Sequence, residues 1–236
     1  MPTSPSLPVS AAFPASHLTI GAGVAIFHLA SSRVVLCYHT RDKYWFLPKG
    51  RRNANEETGR AAEREGFEES GFRNRLLPIP VRHRQPTDPD QGFERFVVEP
   101  VWTLLAPVGG RGQYILHWYV AETVPRVVEA SYAAAGQASD QSGGASRIYE
   151  APAPFPKDLS LRGRIAMDVV VGADGLGRLY EPYRHEGTGV DEEEMLYTSE
   201  LLSIEDARRK MRGSVMADVV QVGWEAIQLR FEIEGG

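Results

Sequence analysis

The segment from residue 50 to residue 71 constrains this chain most, because it combines a polar loop with a helix whose acidic residues follow a strict spacing. It reads GRRNANEETGRAAEREGFEESG and predicts a helix over residues 57–70 that ends at the last glycine. Glu65, Glu68 and Glu69 are spaced i, i+3 and i+4, which places three carboxylates on one helix face. Carboxylates this close repel one another unless a cation lies among them. The spacing therefore predicts a cation site on the helix.

The chemistry of these donors indicates which cation would bind. Oxygen ligands with no Cys or His among them select Mg²⁺ or Mn²⁺ over zinc. Because Mg²⁺ keeps several waters and shares substrate phosphates, such a cluster suits a pyrophosphate and a water activated against phosphorus. Arg64 is expected to pair with Glu56 in the preceding loop and to fix the start of the helix. The alternative is that the acidic residues are only the solvated face of an amphipathic helix.

Further positions around the carboxylates follow a pattern that a solvated helix face does not explain. The segment fits G-x5-E-x7-R-E-x-x-E-E-x-G, and its fixed positions are Gly50, Glu56, Arg64, Glu65, Glu68, Glu69 and Gly71. This pattern resembles the Nudix box of the Nudix hydrolases. The resemblance implies an α/β fold, the Nudix α/β/α sandwich with a mixed sheet. It also implies a loop-helix-loop that holds Mg²⁺, and hydrolysis of a nucleoside diphosphate linked to another group or of a related diphosphate.

The resemblance implies a role for each matched residue. The three helix carboxylates would ligate the metal, together with the backbone carbonyl of Lys49. One of Glu68 and Glu69 would also act as the general base, and Arg64 with Glu56 would support these catalytic residues.

The chain departs from the family pattern at Gly66, where an aliphatic residue usually faces the core. Either the neighbouring Phe67 fills that space or the helix approaches the sheet more closely. This departure bears on stability more than on chemistry.

Three short stretches narrow the resemblance to one group of Nudix hydrolases. WFLPKG, REGFEESG and HWYVAE, which begin at residues 45, 64 and 117, resemble the diadenosine and diphosphoinositol polyphosphate hydrolases of fungi. The sequence also places basic residues on both sides of the acidic helix, an arrangement suited to a polyphosphate. The expected substrate-binding residues are Lys49, Gly50, Arg51, Arg52, Arg82 and Arg84, with Arg73 and Arg75 as further candidates. The alternative is that these arginines only balance acidic neighbours on the surface.

Residues outside the box are expected to play smaller parts. Trp45, Phe46 and Trp118 are interpreted as core aromatics rather than as base-stacking platforms. The acidic run at residues 191–194 is interpreted as a solvated loop, although a carboxylate from outside the box often completes such a site. The further candidate ligands are therefore Glu192, Glu193 and Glu194.

The rest of the chain predicts a strand-rich body interrupted by one insertion. The hydrolase domain is expected over residues 17–124 and 195–236, after a disordered tail at residues 1–16. The expected insertion is residues 125–194, in which residues 130–146 contain no Val, Ile or Leu and predict a flexible loop. Strands are predicted over residues 19–30, 33–39, 44–47, 76–81, 93–105 and 114–121, a small hairpin over residues 165–180, and helices from Ser203 and from Met216.

Composition and charge argue against several other classes. The single cysteine, Cys37, excludes an internal disulfide and a thiolate zinc site. No apolar run is long enough for a membrane helix, and prolines near the N-terminus break a signal-peptide pattern. The expected location is therefore the cytoplasm, with the nucleus as an alternative. A net charge of −5 and a single basic residue after position 213 disfavour a nucleic acid partner and hence mRNA decapping.

The function expected from the sequence is Mg²⁺-dependent hydrolysis of a diphosphate linkage in a small polyphosphorylated molecule. The two substrate classes are inositol pyrophosphates and diadenosine polyphosphates. If the basic residues converge on the site, inositol pyrophosphates are expected to rank first, diadenosine polyphosphates second and nucleoside diphosphate sugars third. The alternatives are a hydrolase of other nucleoside diphosphate derivatives, including mRNA caps, and a binding module that keeps the fold without catalysis. All box carboxylates are present, which disfavours the binding module. The sequence predicts no particular oligomeric state.

Overall fold

The computed structural model describes residues 5–86, 89–90, 92–139, 149–171 and 175–235, with the helical backbone alone over residues 133–139. Among these residues, eight strands form one mixed sheet and two more form a separate hairpin. The strands are β1 (Leu18–His28), β2 (Arg33–His39), β3 (Tyr44–Phe46), β4 (Lys49–Arg51), β5 (Asn74–Leu76), β6 (Trp102–Val108), β7 (Gly112–Thr123), β8 (Val169–Val171), β9 (Gly177–Leu179) and β10 (Tyr197–Ser203). The helices are α1 (Thr58–Ser70), α2 (Arg126–Ser139), α3 (Leu161–Ala166), α4 (Ile204–Lys210) and α5 (Val215–Gly235).

The sheet is organised around β1. Its strands run in the order β10, β2, β1, β7, β5, with β3 beside β2, β4 beside β1 and β6 beside β7. β1 and β7 are parallel from the pair Leu18 and Gln113 to the pair Phe27 and Glu122, whereas the other neighbours are antiparallel. β1 reads LTIGAGVAIFH and is buried along most of its length, as expected for a central strand covered on both faces.

Helices cover both faces of this sheet. On one face, Val24 and Ile26 of β1 pack in a cluster with Ala62 of α1. On the other face, Phe27 of β1 packs in a cluster with Val220 of α5. Successive side chains along β1 thus point to opposite helices. This is the predicted α/β/α sandwich with a mixed sheet.

Helix α1 begins one residue later than predicted and ends as predicted. At its end, Gly71 has a φ of 76° and its N–H donates to the Phe67 carbonyl over 2.8 Å. Gly66 faces the sheet, where a Cβ would lie 2.6 Å from Nδ2 of Asn74 and 2.9 Å from Cγ1 of Val24. The helix therefore approaches the sheet too closely for the aliphatic residue of the family pattern.

The insertion contains more regular structure than predicted. Helix α2 runs to Ser139, so residues 130–139 of the predicted flexible loop have a helical backbone. Alanine is the strongest helix former, and the Ala-rich sequence of this segment favours a helix without large apolar side chains. The rest of the predicted loop, residues 140–146, lies outside the described residues. The predicted hairpin is present as β8 and β9, but its first residues belong to α3.

Two strands start or stop differently from the prediction. The strand predicted over residues 76–81 is β5, which ends at Leu76, and the strand predicted over residues 93–105 begins only at Trp102. Proline has no backbone N–H and interrupts strand pairing. The prolines in these stretches are Pro78, Pro80 and Pro100.

A buried network of ion pairs attaches the insertion to the sheet. Arg164 of α3 is fully buried, with Nε 2.6 Å from Glu122 Oε2 and Nη1 2.8 Å from Asp168 Oδ2. Its Nη2 also donates to the Thr123 carbonyl at 2.8 Å. Arg75 of β5 donates to the other oxygen of Glu122 at 2.6 Å. Two guanidinium groups thus face two carboxylates, and the network is balanced in charge.

The C-terminal helices follow the sequence pattern. The N–H of Asp206 donates to Oγ of Ser203 at 3.1 Å, which confirms the predicted start of α4. α5 begins at Val215, one residue before the prediction. Within the described ranges, no helix is both long and apolar enough to cross a membrane.

Candidate metal centre

Three carboxylates from two distant parts of the chain meet at one end of α1. Glu65 and Glu69 come from α1, and Glu194 comes from the turn that precedes β10. Each offers one carboxylate oxygen, and the three oxygens lie within 4.8 Å of one another. The two helix residues are buried, whereas Glu194 is half-buried. Of the three candidates in the acidic run at residues 192–194, the structure brings only Glu194 into this group.

Arg64 connects the box residues with one another. Its Nε and Nη2 donate to the two oxygens of Glu56, both at 2.9 Å. Its Nη1 lies 2.8 Å from Glu65 and 2.7 Å from Glu68. Nη2 also donates to the carbonyl of Arg51 at 3.0 Å, which ties the loop to the helix. The guanidinium therefore holds the loop and the acidic face of α1 in a fixed relation.

The ionisation of these groups separates Glu56 from the cluster. Burial raises the pKa of Glu65 to about 7 and that of Glu69 to about 8, and neighbouring carboxylates add to both shifts. Burial also raises the pKa of Glu194. Although burial opposes it, hydrogen bonds from Arg64 lower the pKa of Glu56. Glu56 is therefore a paired, ionised support, whereas the cluster carboxylates are harder to ionise, and a cation among them would favour their charged forms.

Glu68 lies beside the cluster rather than within the group of three oxygens. One of its oxygens accepts from Arg64, and its backbone carbonyl accepts from Thr188 Oγ1 at 2.8 Å. Burial raises its pKa, and the charge of Glu194 adds to the shift. A ligand or general-base role for Glu68 remains a prediction.

Lys49 and Gly50 contact the carboxylates of the centre. The N–H of Lys49 donates to Glu69 Oε2 at 2.7 Å, and its Nζ lies 5.6 Å from the centroid of the Phe46 ring. Gly50 lies against Glu65 so closely that any Cβ would overlap the carboxylate. A glycine is required there for the carboxylate to keep its position. Metal ligation by the Lys49 carbonyl remains a prediction.

The next residues are the arginines that the sequence predicts on both sides of the acidic helix as substrate-binding residues. Arg51 is exposed, and Arg52 donates from Nη1 to the Glu56 carbonyl at 2.8 Å. Arg82 and Arg84 are exposed on the segment between β5 and β6, and no contact of theirs with the cluster is found among the described residues.

The prediction that Arg73 and Arg75 bind the substrate is wrong. Both are buried: Arg73 directly precedes β5 and Arg75 lies within it, and each faces an acidic partner in the insertion or the sheet. Nε of Arg73 lies 3.3 Å from Glu129 of α2, and Arg75 pairs with Glu122 of β7. Neither guanidinium is available to a substrate at the centre.

A group of aromatic side chains, which we call the aromatic cluster, lies near the centre. We use this name for four side chains whose ring centroids lie 4.9 to 5.5 Å apart, namely His39, Tyr44, Phe46 and Tyr197. Tyr44 is 46% exposed, whereas Phe46 is buried. Burial raises the pKa of Tyr197, and the nearby carboxylate of Glu69 adds to the shift.

The other predicted aromatics lie away from the acidic cluster. Trp118 is buried in the core, and Trp45 packs against Tyr38 with ring centroids 4.8 Å apart. Both agree with the interpretation as structural residues. A cavity of about 600 Å³ lies beside α1, between β5 and residues 154–157, and none of the three cluster carboxylates lines it.

The residues present fit a hard divalent cation. The donor set consists of carboxylate oxygens with no imidazole or thiolate, which suits Mg²⁺ or Mn²⁺. One guanidinium is shared among the box carboxylates, so a divalent ion would relieve their repulsion. The arrangement can therefore hold a metal and a phosphate bound to it.

No protein-family profile matches the sequence. Among solved structures, the chain is similar to a Nudix hydrolase from Nitrosomonas europaea, with 11% identity, 88% of each chain covered and a TM-score of 0.42. It is also similar to a Nudix-family hydrolase from Clostridium perfringens, with 16% identity, 90% of this chain and 97% of that chain covered and a TM-score of 0.40. A C. elegans Ap4A hydrolase shows 15% identity, 89% and 98% coverage and a TM-score of 0.38. These TM-scores are below 0.5, so the activity has to be inferred from the residues of the site.

Proposed function

We propose that this protein is a Nudix-type hydrolase that cleaves a diphosphate linkage in a small polyphosphorylated molecule with the help of Mg²⁺. The observation that carries the proposal is the convergence of the Glu65, Glu69 and Glu194 carboxylates, for which the described residues offer one guanidinium, that of Arg64 beside Glu65. A carboxylate cluster of this kind stays ionised at neutral pH only with a cation in place. A purely structural cluster would be expected to contain its own counter-charges.

Each residue of the centre then has a chemical task. When bound, Mg²⁺ supplies Lewis-acid polarisation of a phosphate and lowers the pKa of a water. Glu65, Glu69 and Glu194 hold the ion, and the Lys49 N–H fixes the orientation of Glu69. One of Glu68 and Glu69 accepts the proton of the attacking water.

Arg64 has a different task from the metal-holding carboxylates. Its contacts with Glu56 and with the Arg51 carbonyl hold the loop against the helix, so that the carboxylates keep their mutual distances. It is therefore a positioning residue for the centre.

For the substrate, we propose a dinucleoside polyphosphate in preference to an inositol pyrophosphate. An inositol pyrophosphate needs many cationic contacts, and the burial of Arg73 and Arg75 removes two that the sequence had suggested. A dinucleotide needs fewer cations and an aromatic surface for its base, which Tyr44 offers beside the metal centre. Lys49 and Arg51 remain for the phosphate chain.

The test of the activity measures phosphate and nucleotide release over a panel of diphosphates, with Mg²⁺ and with EDTA. We expect turnover only with Mg²⁺, and we expect Glu69→Gln to abolish it. Glu57→Gln changes an exposed carboxylate before the same helix and is the matched control. If no diphosphate is turned over while Mg²⁺ binds, the protein is a binding module.

The test of substrate class compares kcat/KM for diadenosine polyphosphates, inositol pyrophosphates and nucleoside diphosphate sugars. We expect Tyr44→Ala to lower kcat/KM for the dinucleotide about tenfold and to leave the inositol pyrophosphate unchanged, since one stacking contact contributes about 1–3 kcal/mol. Tyr183→Ala changes another exposed tyrosine that lies outside the aromatic cluster and is the control. Faster turnover of inositol pyrophosphates, with equal losses for all classes in Tyr44→Ala, would contradict this choice.

A further inference from the structure

The third carboxylate of the centre is carried by a short loop, residues 188–196, which we call the acidic loop. Within this loop, the carboxylate of Asp191 accepts the N–H groups of Glu193 and Glu194, both at 2.9 Å. The N–H of Val190 donates to Glu194 Oε2 at 2.6 Å. These bonds shape the loop internally, and at its start the Thr188 hydroxyl donates to the Glu68 carbonyl of α1 at 2.8 Å.

The neighbouring residue Glu193 attaches the acidic loop to the sheet. Its Oε1 lies 2.8 Å from Nε2 of His39, the last residue of β2. Nη2 of Arg41 donates to both oxygens of Glu193, at 3.0 and 3.1 Å. A second attachment follows at Thr40, whose N–H and hydroxyl both donate to the Leu196 carbonyl. The end of β2 therefore holds the loop on both sides of Glu194.

The geometry around His39 makes it a fixed donor. The N–H of Asp42 donates to His39 Nδ1 at 3.1 Å, so Nδ1 is an acceptor. Nε2 therefore carries the hydrogen and donates it in the hydrogen bond to Glu193. The imidazole is fully buried between the rings of Tyr44 and Tyr197. A neutral histidine in this tautomer satisfies every one of these contacts.

The group formed by His39, Asp42 and Glu193 is a latch rather than a second metal site. The guanidinium of Arg41 contacts both carboxylates and already supplies their positive charge. At the centre, by contrast, Arg64 pairs with Glu65 but is shared with Glu56 and Glu68, and among the described residues no guanidinium pairs with Glu69 or Glu194.

We propose that Glu193 is a positioning residue for the metal centre. Through His39 and Arg41 it holds the acidic loop in the place where Glu194 reaches Glu65 and Glu69. This inference rests on the proposed function, because it assumes that the three carboxylates bind a metal. Glu194 supplies the ligand, and Glu193 supplies its position.

The test measures metal affinity and catalysis separately in Glu193→Ala and Arg41→Ala. Free Mn²⁺ during a titration, followed by electron paramagnetic resonance, gives the affinity. The Mg²⁺ dependence of turnover gives the apparent Mg²⁺ constant and the kcat at saturation. We expect both variants to bind Mn²⁺ and Mg²⁺ about tenfold more weakly, as is typical when an orienting partner of a ligand is lost. We expect kcat at saturating Mg²⁺ to return to near the wild-type value.

The controls separate positioning from other effects. Glu192→Ala removes an exposed carboxylate that the structure leaves outside both the latch and the centre, and should bind Mn²⁺ as the wild type does. Because Arg41 acts through Glu193, the double variant should be no weaker than Glu193→Ala alone. Arg41 is 57% exposed, so its variant remains informative if Glu193→Ala folds poorly.

Two kinds of failure are distinguishable. If Glu65→Gln, Glu69→Gln and Glu194→Gln all bind Mn²⁺ like the wild type, the metal centre itself is wrong and the proposed function fails with it. If those three variants lose Mn²⁺ but Glu193→Ala and Arg41→Ala titrate like Glu192→Ala, the metal centre stands and the positioning role of Glu193 is wrong.

Discussion

Two charged clusters of this protein differ in how their charges are balanced. In the buried network, Arg75 and Arg164 face Glu122 and Asp168, so each carboxylate has a guanidinium within 2.8 Å. At the end of α1, one guanidinium is shared among several carboxylates. Arg64 contacts Glu56, Glu65 and Glu68, and its charge also acts on Glu194, whereas the nearby cation for Glu69 is Lys49.

The difference shows which cluster has a ligand to bind. Buried charges that are matched by opposite charges need no further ion, and removing one partner leaves the other uncompensated. A cluster with an excess of one sign in a partly open cleft is stable only with its carboxylates protonated or with a cation present. The network therefore fixes the insertion, and the cluster is suited to binding a divalent ion.

The largest expected effect is on catalysis. Glu69→Gln should lower kcat by about two to three orders of magnitude, as for the loss of one electrostatic stabiliser of a transition state. Without metal, the same variant should melt at a higher temperature than the wild type, because it removes one of the repelling carboxylates. Steady-state kinetics and thermal denaturation with EDTA measure the two effects. A variant as active as the wild type would contradict the assignment of the centre.

The next effect concerns the balanced network. Arg164→Ala leaves Asp168 buried without a guanidinium partner and Glu122 with Arg75 alone, which should cost about 3–5 kcal/mol of unfolding free energy. For a chain of this size that corresponds to a melting temperature lower by about 10 °C. Arg209→Ala breaks an exposed pair with Asp206 and should change stability by less than about 1 kcal/mol. Equal melting temperatures for the two variants would show that the buried network contributes no more to stability than an exposed ion pair.

The smallest effect is the pH dependence of the metal-free protein. The folded-state pKa values of Glu65 and Glu69 are about 7 and about 8, well above the ordinary value of 4.5. The native state therefore binds more protons than the unfolded state at pH values between 4.5 and about 8. The stabilisation is therefore complete below pH 4.5 and is lost as the pH rises towards 8.

Thermal denaturation in EDTA between pH 5 and pH 8 measures this loss. We expect the melting temperature to fall by on the order of 5 °C in the wild type and by less in Glu69→Gln. Added Mg²⁺ should restore stability most at the higher pH. If the wild type and Glu69→Gln show parallel curves, the cluster does not carry the excess charge described here.

The local parts of the site could be predicted from the sequence. The spacing of Glu65, Glu68 and Glu69 and the end of α1 at Gly71 depend on helix geometry within a few residues. The α/β/α sandwich was also predictable, because it followed from the resemblance carried by that same segment.

The parts that depend on distant contacts could not be predicted. Which residue of the acidic run reaches the centre is decided by the attachment of Glu193 to His39, some 150 positions earlier in the chain. The burial of Arg73 and Arg75 depends on partners about 50 residues away in α2 and β7. Nothing in the spacing of these arginines indicates such partners.

The parallel pairing of β1 with β7 has a consequence for how the protein is made. Leu18 and Gln113 are partners in the sheet although they lie some 95 positions apart, so the central pair closes a large loop. Contacts between such distant residues slow folding. During synthesis, α1 is complete well before β7 leaves the ribosome, and Glu194 follows about 120 positions after the end of α1. The nascent chain therefore carries an acidic helix without its third carboxylate while all of these residues are being added.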